Sequence, residues 1–133
     1  MDTKINCIVI DDDPINNTIC QMIISRAAPQ ADIQTFTIPE EGFAYISKQY
    51  LTTDNPTVLF LDINMPSWSG WDFLDQFEKL DNKIKRKIQI YILSSSVDLN
   101  DKKRAEDNKN VVGFIAKPLT KAIFKKIFGG TNT

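Results

Sequence analysis

A doubly wound α/β fold with a parallel sheet follows from three features of the 133-residue sequence. Short unbroken apolar runs recur along the chain, stretches with helical spacing separate them, and most runs end in polar, chemically capable residues. Strands buried on both faces read as continuous apolar runs, and strands alternating with helices imply right-handed crossovers covering both sides of a parallel sheet. Hydrophobic residues make up 42% of the chain, enough for one core and too few for a second. Residues 1–133 are therefore expected to form one domain, with an ordered core over about 4–128 and a frayed tail over 129–133.

The first strand is predicted over Ile5 to Ile10 (INCIVI). Asp13-Pro14 then supplies an N-cap and a first-turn proline, opening a helix whose Ile15, Ile19, Met22, Ile23 and Ala27 recur at helical spacing and are expected to face the core. Asp32 to Phe36 (DIQTF) is a less apolar second strand. Thr37-Ile38-Pro39-Glu40 has the form of a capping box for a helix turning Phe43, Ile46 and Tyr50 inward. Thr57 to Leu61 (TVLFL) is the third strand, and Phe73, Leu74, Phe77 and Leu80 make the next helical stripe. Ile88 to Leu93 (IQIYIL) and Val111 to Ala116 (VVGFIA) complete the sheet, followed by a helix burying Ile123, Phe124, Ile127 and Phe128. Between the last two strands, residues 97–110 offer only Val97, Leu99 and Ala105 for burial, which predicts a short or loosely held helix.

Composition narrows the chemistry. Sixteen basic and 17 acidic residues give a net charge of -1, so no global field recommends nucleic acid or an anionic membrane. No apolar stretch approaches the ~20 residues of a membrane span, and the first ten residues lack a secretory pattern, so a cytoplasmic location is expected. Cys7 and Cys20 have neither CxxC spacing nor a histidine partner and are expected to be buried free thiols. The absence of histidine excludes Ser-His and Cys-His nucleophile pairs, imidazole bases and histidine-rich zinc sites. The chemistry must run on carboxylates, hydroxyls, lysine and metal.

In open α/β sheets the ligand crevice lies beyond the carboxyl ends of the strands. Here those ends carry Asp11-Asp12-Asp13, Asp62 with Ile63-Asn64-Met65-Pro66 behind it, Ser94-Ser95-Ser96, and Lys117-Pro118. Each has a purely structural reading: Asp13 caps a helix, Asp62 opens a turn, Ser95 caps the next helix with Asp98 as its partner, and Lys117 is a solvated strand end. Jointly these readings leave two leading aspartates unexplained. Carboxylates ~5 Å apart repel by roughly 3 kcal/mol at an effective dielectric near 20, enough to demand a proton or a cation. Oxygen donors without sulfur or imidazole suit a hard ion, Mg²⁺ or Mn²⁺ in its place. With Lys117 opposite, such a site cradles a phosphoryl group, and aspartate itself can be the nucleophile, giving an acyl phosphate.

The motifs IVIDDDP, LFLDINMPSWSGWDFL, YILSSS and GFIAKPL stand in the order and approximate spacing of the receiver domain of two-component response regulators, and the chain resembles that family from Lys4 to Phe128. The resemblance is close to chemotaxis-type receivers and implies a flavodoxin-like five-stranded sheet in the order 2-1-3-4-5. It implies Asp62 as phosphoacceptor, with a metal held by Asp11, Asp12, Asp62 and the backbone carbonyl of Asn64, while Asp13 remains the cap. It further implies that the Ser94 hydroxyl and Lys117 engage the phosphoryl oxygens, that Phe114 follows as a switch, and that Lys117-Pro118 is cis. Ser94 stands where threonine is common and Ser69 where an acidic residue is common; Trp68 sits in that loop and Trp71 just beyond its glycine.

A chain without histidine needs a foreign donor, and the resemblance implies phosphohistidine on a sensor histidine kinase or histidine phosphotransfer protein. With no domain expected after Phe128, the signal is expected to reach a downstream effector protein by contact, and the chain to catalyse only its own phosphorylation and dephosphorylation. One rival is a haloacid dehalogenase-like phosphatase, with Asp11 as nucleophile, Asp13 as acid/base and Ser94 and Lys117 in support. It leaves Asp62 idle and lacks an acidic pair after the last strand. A flavin or nucleotide module would meet three repelling carboxylates. An unphosphorylated docking module would have no use for the intact acidic, hydroxyl and lysine set.

Overall fold

The computed structural model describes residues 5–49, 56–96 and 98–129. Five strands, β1 (Asn6–Ile10), β2 (Asp32–Phe36), β3 (Thr57–Leu61), β4 (Ile88–Ser94) and β5 (Val111–Ala116), form one parallel sheet in the order β2-β1-β3-β4-β5. Helices α1 (Pro14–Ala27), α2 (Pro39–Gln49), α3 (Gly70–Glu78), α4 (Asn82–Lys85), α5 (Leu99–Glu106) and α6 (Lys121–Gly129) connect and cover the strands. The predicted fold class and strand order are those observed. Three strands keep their predicted bounds, and β4 runs one residue further, bringing Ser94 into the sheet.

Strand side chains alternate between two cores, as the period of two requires. Ile8, Ile10, Leu59, Leu61, Ile90 and Ile92 pack with Ile46 of α2 and with Phe73, Leu74 and Phe77 of α3. Cys7, Val9, Val58, Phe60, Leu93 and Ile115 pack on the other face with Cys20 and Ile24 of α1 and Phe124 of α6. Every residue of central β3 is buried. Both cysteines are buried free thiols, and burial pushes the Cys7 thiol up to about 12 and the Cys20 thiol to about 11.

The buried face of α1 differs in part from the predicted one: Ile23 and Ala27 pack half-buried against the core as expected, but three other residues do not. Ile15, Ile19 and Met22 are 70%, 40% and 47% exposed, while Asn16, Asn17, Cys20 and Ile24 point inward. Isoleucines occupy both faces of this helix, so apolar spacing alone does not set its rotation. The asparagines do: the Asn17 amide donates to the carbonyls of Asp11 (3.0 Å) and Phe36 (3.3 Å), and the Asn16 amide donates to the Asp11 carboxylate. Buried amides become tolerable once bonded, and these bonds turn the polar pair toward the sheet end.

Other helix starts also depart from expectation. Glu40, expected to close a capping box on α2, accepts instead from the Ser67 hydroxyl at 2.8 Å. A complete box forms at α3, between Ser69 and Asp72. Asp98 rather than Ser95 caps α5, its carboxylate accepting from Asn100 N at 2.8 Å. α5 is short, as expected, with Ala105 as its buried residue; the Arg104 guanidinium lies 4.5 Å over the Trp71 ring. The four-residue α4, capped by Asp81, was not anticipated. Tyr50, Val97, the Phe128 side chain and residues 130–133 fall outside what the structure describes.

Candidate functional site

Sheet register brings the site together. Ile10 of β1 pairs with Leu61 of β3, so Asp11 and Asp62, each one residue further on, end up side by side. Backbone bonds extend past the strand ends: Asp62 N donates to Ile10 O at 2.9 Å, and Asp11 N donates to Phe36 O at 3.0 Å. On the other side, Ser94 of β4 pairs with Ala116 of β5, and Lys117 N donates to Ser94 O at 2.7 Å. The Lys117-Pro118 peptide is cis. Lys117 reaches back to the acidic residues, its Nζ donating to Asp11 Oδ2 at 2.6 Å and lying 3.4 Å from Asp62 Oδ1.

Asp11, Asp12 and Asp62 each offer a carboxylate oxygen, all within 4.8 Å of one another. Asp11 and Asp62 are buried and Asp12 is exposed, so the cluster opens to solvent on the Asp12 side. Asp11 is held from several directions: Oδ1 accepts from Asp13 N at 2.9 Å, and Oδ2 accepts from Asn16 Nδ2 at 2.8 Å as well as from Lys117. Asp13 serves as the cap, accepting from Ile15 N at 2.9 Å. That occupation weakens any acid/base role for Asp13 in a phosphatase reading.

The electrostatics are those of a site short of positive charge. Burial, then the neighbouring Asp11 carboxylate, push Asp62 up to about 6 against the pull of Lys117. Burial by itself would lower Lys117, but its hydrogen bond to Asp11 and the charges of Asp62 and Asp11 outweigh that and hold it above its ordinary value. One ammonium thus faces three carboxylates, all hard oxygen donors. A divalent hard cation fits this donor set and the charge it leaves uncompensated.

The remaining predicted residues lie around this rim. Asn64 is exposed on the loop two residues after Asp62. Ser94 is buried with its hydroxyl engaged in its own turn, donating to Ser96 O at 3.0 Å and accepting from Ser96 N at 3.2 Å. Phe114 sits on β5 opposite Ile92, half-buried against the core of the α2-α3 face. Trp68 packs edge-on against Phe43 with ring centroids 5.7 Å apart, and Trp71 is buried.

Three residues that the sequence reading did not assign to the site shape it. Asn16 and Asn17 secure the carboxylate and carbonyl of Asp11; their signal was a pair of amides in the first turn after the acidic run, and their buried side chains leave only Asn17 Oδ1 without a hydrogen-bond partner among the described residues. Gly70 lets α3 start directly on the Asp62 backbone, with its N–H donating to Ile63 O at 2.8 Å. A Cβ there would lie 2.7 Å from Asp62 O and 2.9 Å from Ile63 Cα.

Comparison with known proteins agrees with this fold. Residues 7–128 match the response regulator receiver domain family. A two component response regulator from Cytophaga hutchinsonii is 29% identical, with a TM-score of 0.86 over 97% of this chain and 98% of that one. The chemotaxis protein CheY4 of Vibrio cholerae, 16% identical, shares the fold at a TM-score of 0.75 over 96% of this chain and 98% of its own. A protein-glutamate methylesterase/protein-glutamine glutaminase of Ralstonia nicotianae is 28% identical over 116 residues, which are 86% of this chain and only 28% of that protein. The chain thus spans little more than a quarter of that relative's length. On its matched residues, fold and strand order, this chain belongs to the response regulator receiver domain family.

Proposed function

We propose that this chain, as one domain over residues 1–133, accepts a phosphoryl group on Asp62 from the phosphohistidine of a sensor histidine kinase or histidine phosphotransfer protein. The observation that carries this reading is the contact of one ammonium, Lys117, with two buried carboxylates, Asp11 and Asp62, beside a third at the solvent edge. Asp11, Asp12, Asp62 and the backbone carbonyl of Asn64 would hold Mg²⁺, or Mn²⁺ in its place. Bound there, the ion offsets carboxylate charge and polarises the oxygens of the donor phosphate.

The chain's own groups do the rest. An ionised Asp62 oxygen attacks phosphorus in line while the phosphorus–nitrogen bond of the donor breaks, its electron pair leaving on the imidazole nitrogen. The product is a mixed anhydride. Lys117 stays protonated throughout and pairs with a phosphoryl oxygen, releasing part of its hold on Asp11. Attack of water on phosphorus later restores the carboxylate and releases phosphate; the chain turns over no separate substrate.

Ser94 then takes a second role. Its hydroxyl leaves Ser96 O and donates to the phosphoryl group, and Phe114, on the neighbouring strand, repacks with it, shifting the population of the surrounding face. That face then selects a downstream effector protein by direct contact, in the cytoplasm, with neither nucleic acid nor membrane as partner. No helix among the described residues is long and apolar enough to cross a membrane.

The test is intact mass after exposure to phosphoramidate with Mg²⁺. One added phosphoryl group, absent with chelator, supports the reading. No adduct under any donor would leave the chain an unphosphorylated docking module and sink it.

A further inference from the structure

We propose that a cavity of about 530 Å³ at the end of the sheet opposite the acidic cluster binds an acidic, partly apolar peptide segment of a partner protein. The cavity lies where β4 and β5 begin, against Ile88 and Val112, whereas the cluster lies near their carboxyl ends. Seven residues of β4 separate the two by roughly 20 Å.

Charge is the first support. Lys85, Arg86 and Lys109 line the cavity and no carboxylate does. Glu78 stands behind it, with Oε2 2.8 Å from Lys109 Nζ and Oε1 3.3 Å from Lys85 Nζ. Hydrogen bonds, from Lys109 first and then from Asn110, hold Glu78 down at about 2, so it stays ionised. Three positive charges still face one negative, and Arg86 has no acidic partner among the described residues.

Backbone geometry is the second. Ile90 pairs with Val111 but Tyr91 pairs with Gly113, so Val112 is an extra, unpaired residue on β5. Bulges at sheet edges re-aim side chains, and this one leaves Val112 55% exposed beside the buried Ile88 in a cation-walled cavity. Solvating lysines needs no such apolar surface. Carboxylates flanking an apolar side chain would use both.

Size and charge number select the occupant. The site is an open groove rather than an enclosing pocket, and an inorganic anion would leave Val112 and Ile88 unused. Nucleic-acid binding draws on a track of several phosphate contacts, and three cations around one cavity are too few.

The experiment is fluorescence anisotropy with the full chain and a labelled Glu-Asp-Leu-Glu-Asp peptide at low salt. Binding is expected, weakened about tenfold by Arg86→Glu and several-fold by Val112→Ser, and unchanged by Asp62→Asn. Both variants alter solvent-facing side chains, and circular dichroism checks that they remain folded. Absence of binding overturns the proposal, as does binding indifferent to both variants. So does displacement of the peptide by equimolar inorganic phosphate, or tighter binding of a single-stranded oligonucleotide.

Discussion

Lys117 and Asp11 are separated by 106 positions in the chain and by 2.6 Å at their ammonium–carboxylate contact. The same ammonium lies 3.4 Å from Asp62, so it links the ends of β1, β3 and β5. Removing it leaves two buried carboxylates together. Lys117→Met is expected to destabilise the metal-free protein by about 3 kcal/mol, read from denaturant melts, because breaking a buried pair strands its partner. Addition of Mg²⁺ should recover part of that loss.

Asp62 works in the opposite sense. Its folded value of about 6 lies above its ordinary 3.8, so its contribution to stability is full below about pH 4 and is lost as pH rises through 6. In chelator, Asp62→Asn should therefore gain on the wild type as pH rises, reaching on the order of 3 kcal/mol above pH 7. Thermal melts across pH check this, and saturating Mg²⁺ should collapse the difference.

Asn16 holds the Asp11 oxygen that Lys117 also takes. Asn16→Leu keeps the volume and deletes the donor. Partners that orient metal-binding carboxylates typically govern affinity 10- to 100-fold, so Mg²⁺ affinity measured by calorimetry should fall at least about tenfold while the fold persists.

Gly70→Ala forces a methyl group onto the Asp62 carbonyl and Ile63 Cα. Both are backbone, which cannot swing aside. A loss of about 2 kcal/mol is expected in denaturant melts, with impaired phosphorylation because the loop carrying Asp62 must move.

The rotation of α1 has its own test. Ile24→Ala, in the core, should cost about 3 kcal/mol, whereas Ile19→Lys, on the open face, should cost less than about 0.5.

What the sequence made legible follows from where constraint is strongest. Central β3, buried at every residue, leaves an unbroken apolar run and is bounded to the residue; β2 and β5, edge strands only partly buried, keep their expected bounds as well. The acidic residues and the lysine were found because each stands directly beyond such a run. α1 was misoriented because isoleucines populate both of its faces and the choice is made by hydrogen bonds from Asn16 and Asn17, which apolar periodicity does not encode. α4 is too short to show a period, and the need for glycine at position 70 appears only once the Asp62 backbone is beside it.

The central claim is that Asp62 is the nucleophile. Borohydride reduction of the phosphorylated protein, followed by peptide mass spectrometry, tests it directly, since an aspartyl phosphate is reduced to homoserine at the modified position. Homoserine at position 62, absent when chelator precedes the phosphodonor, is the predicted result. Homoserine at position 11 with Asp62 unmodified would contradict it and point to the phosphatase-like chemistry instead.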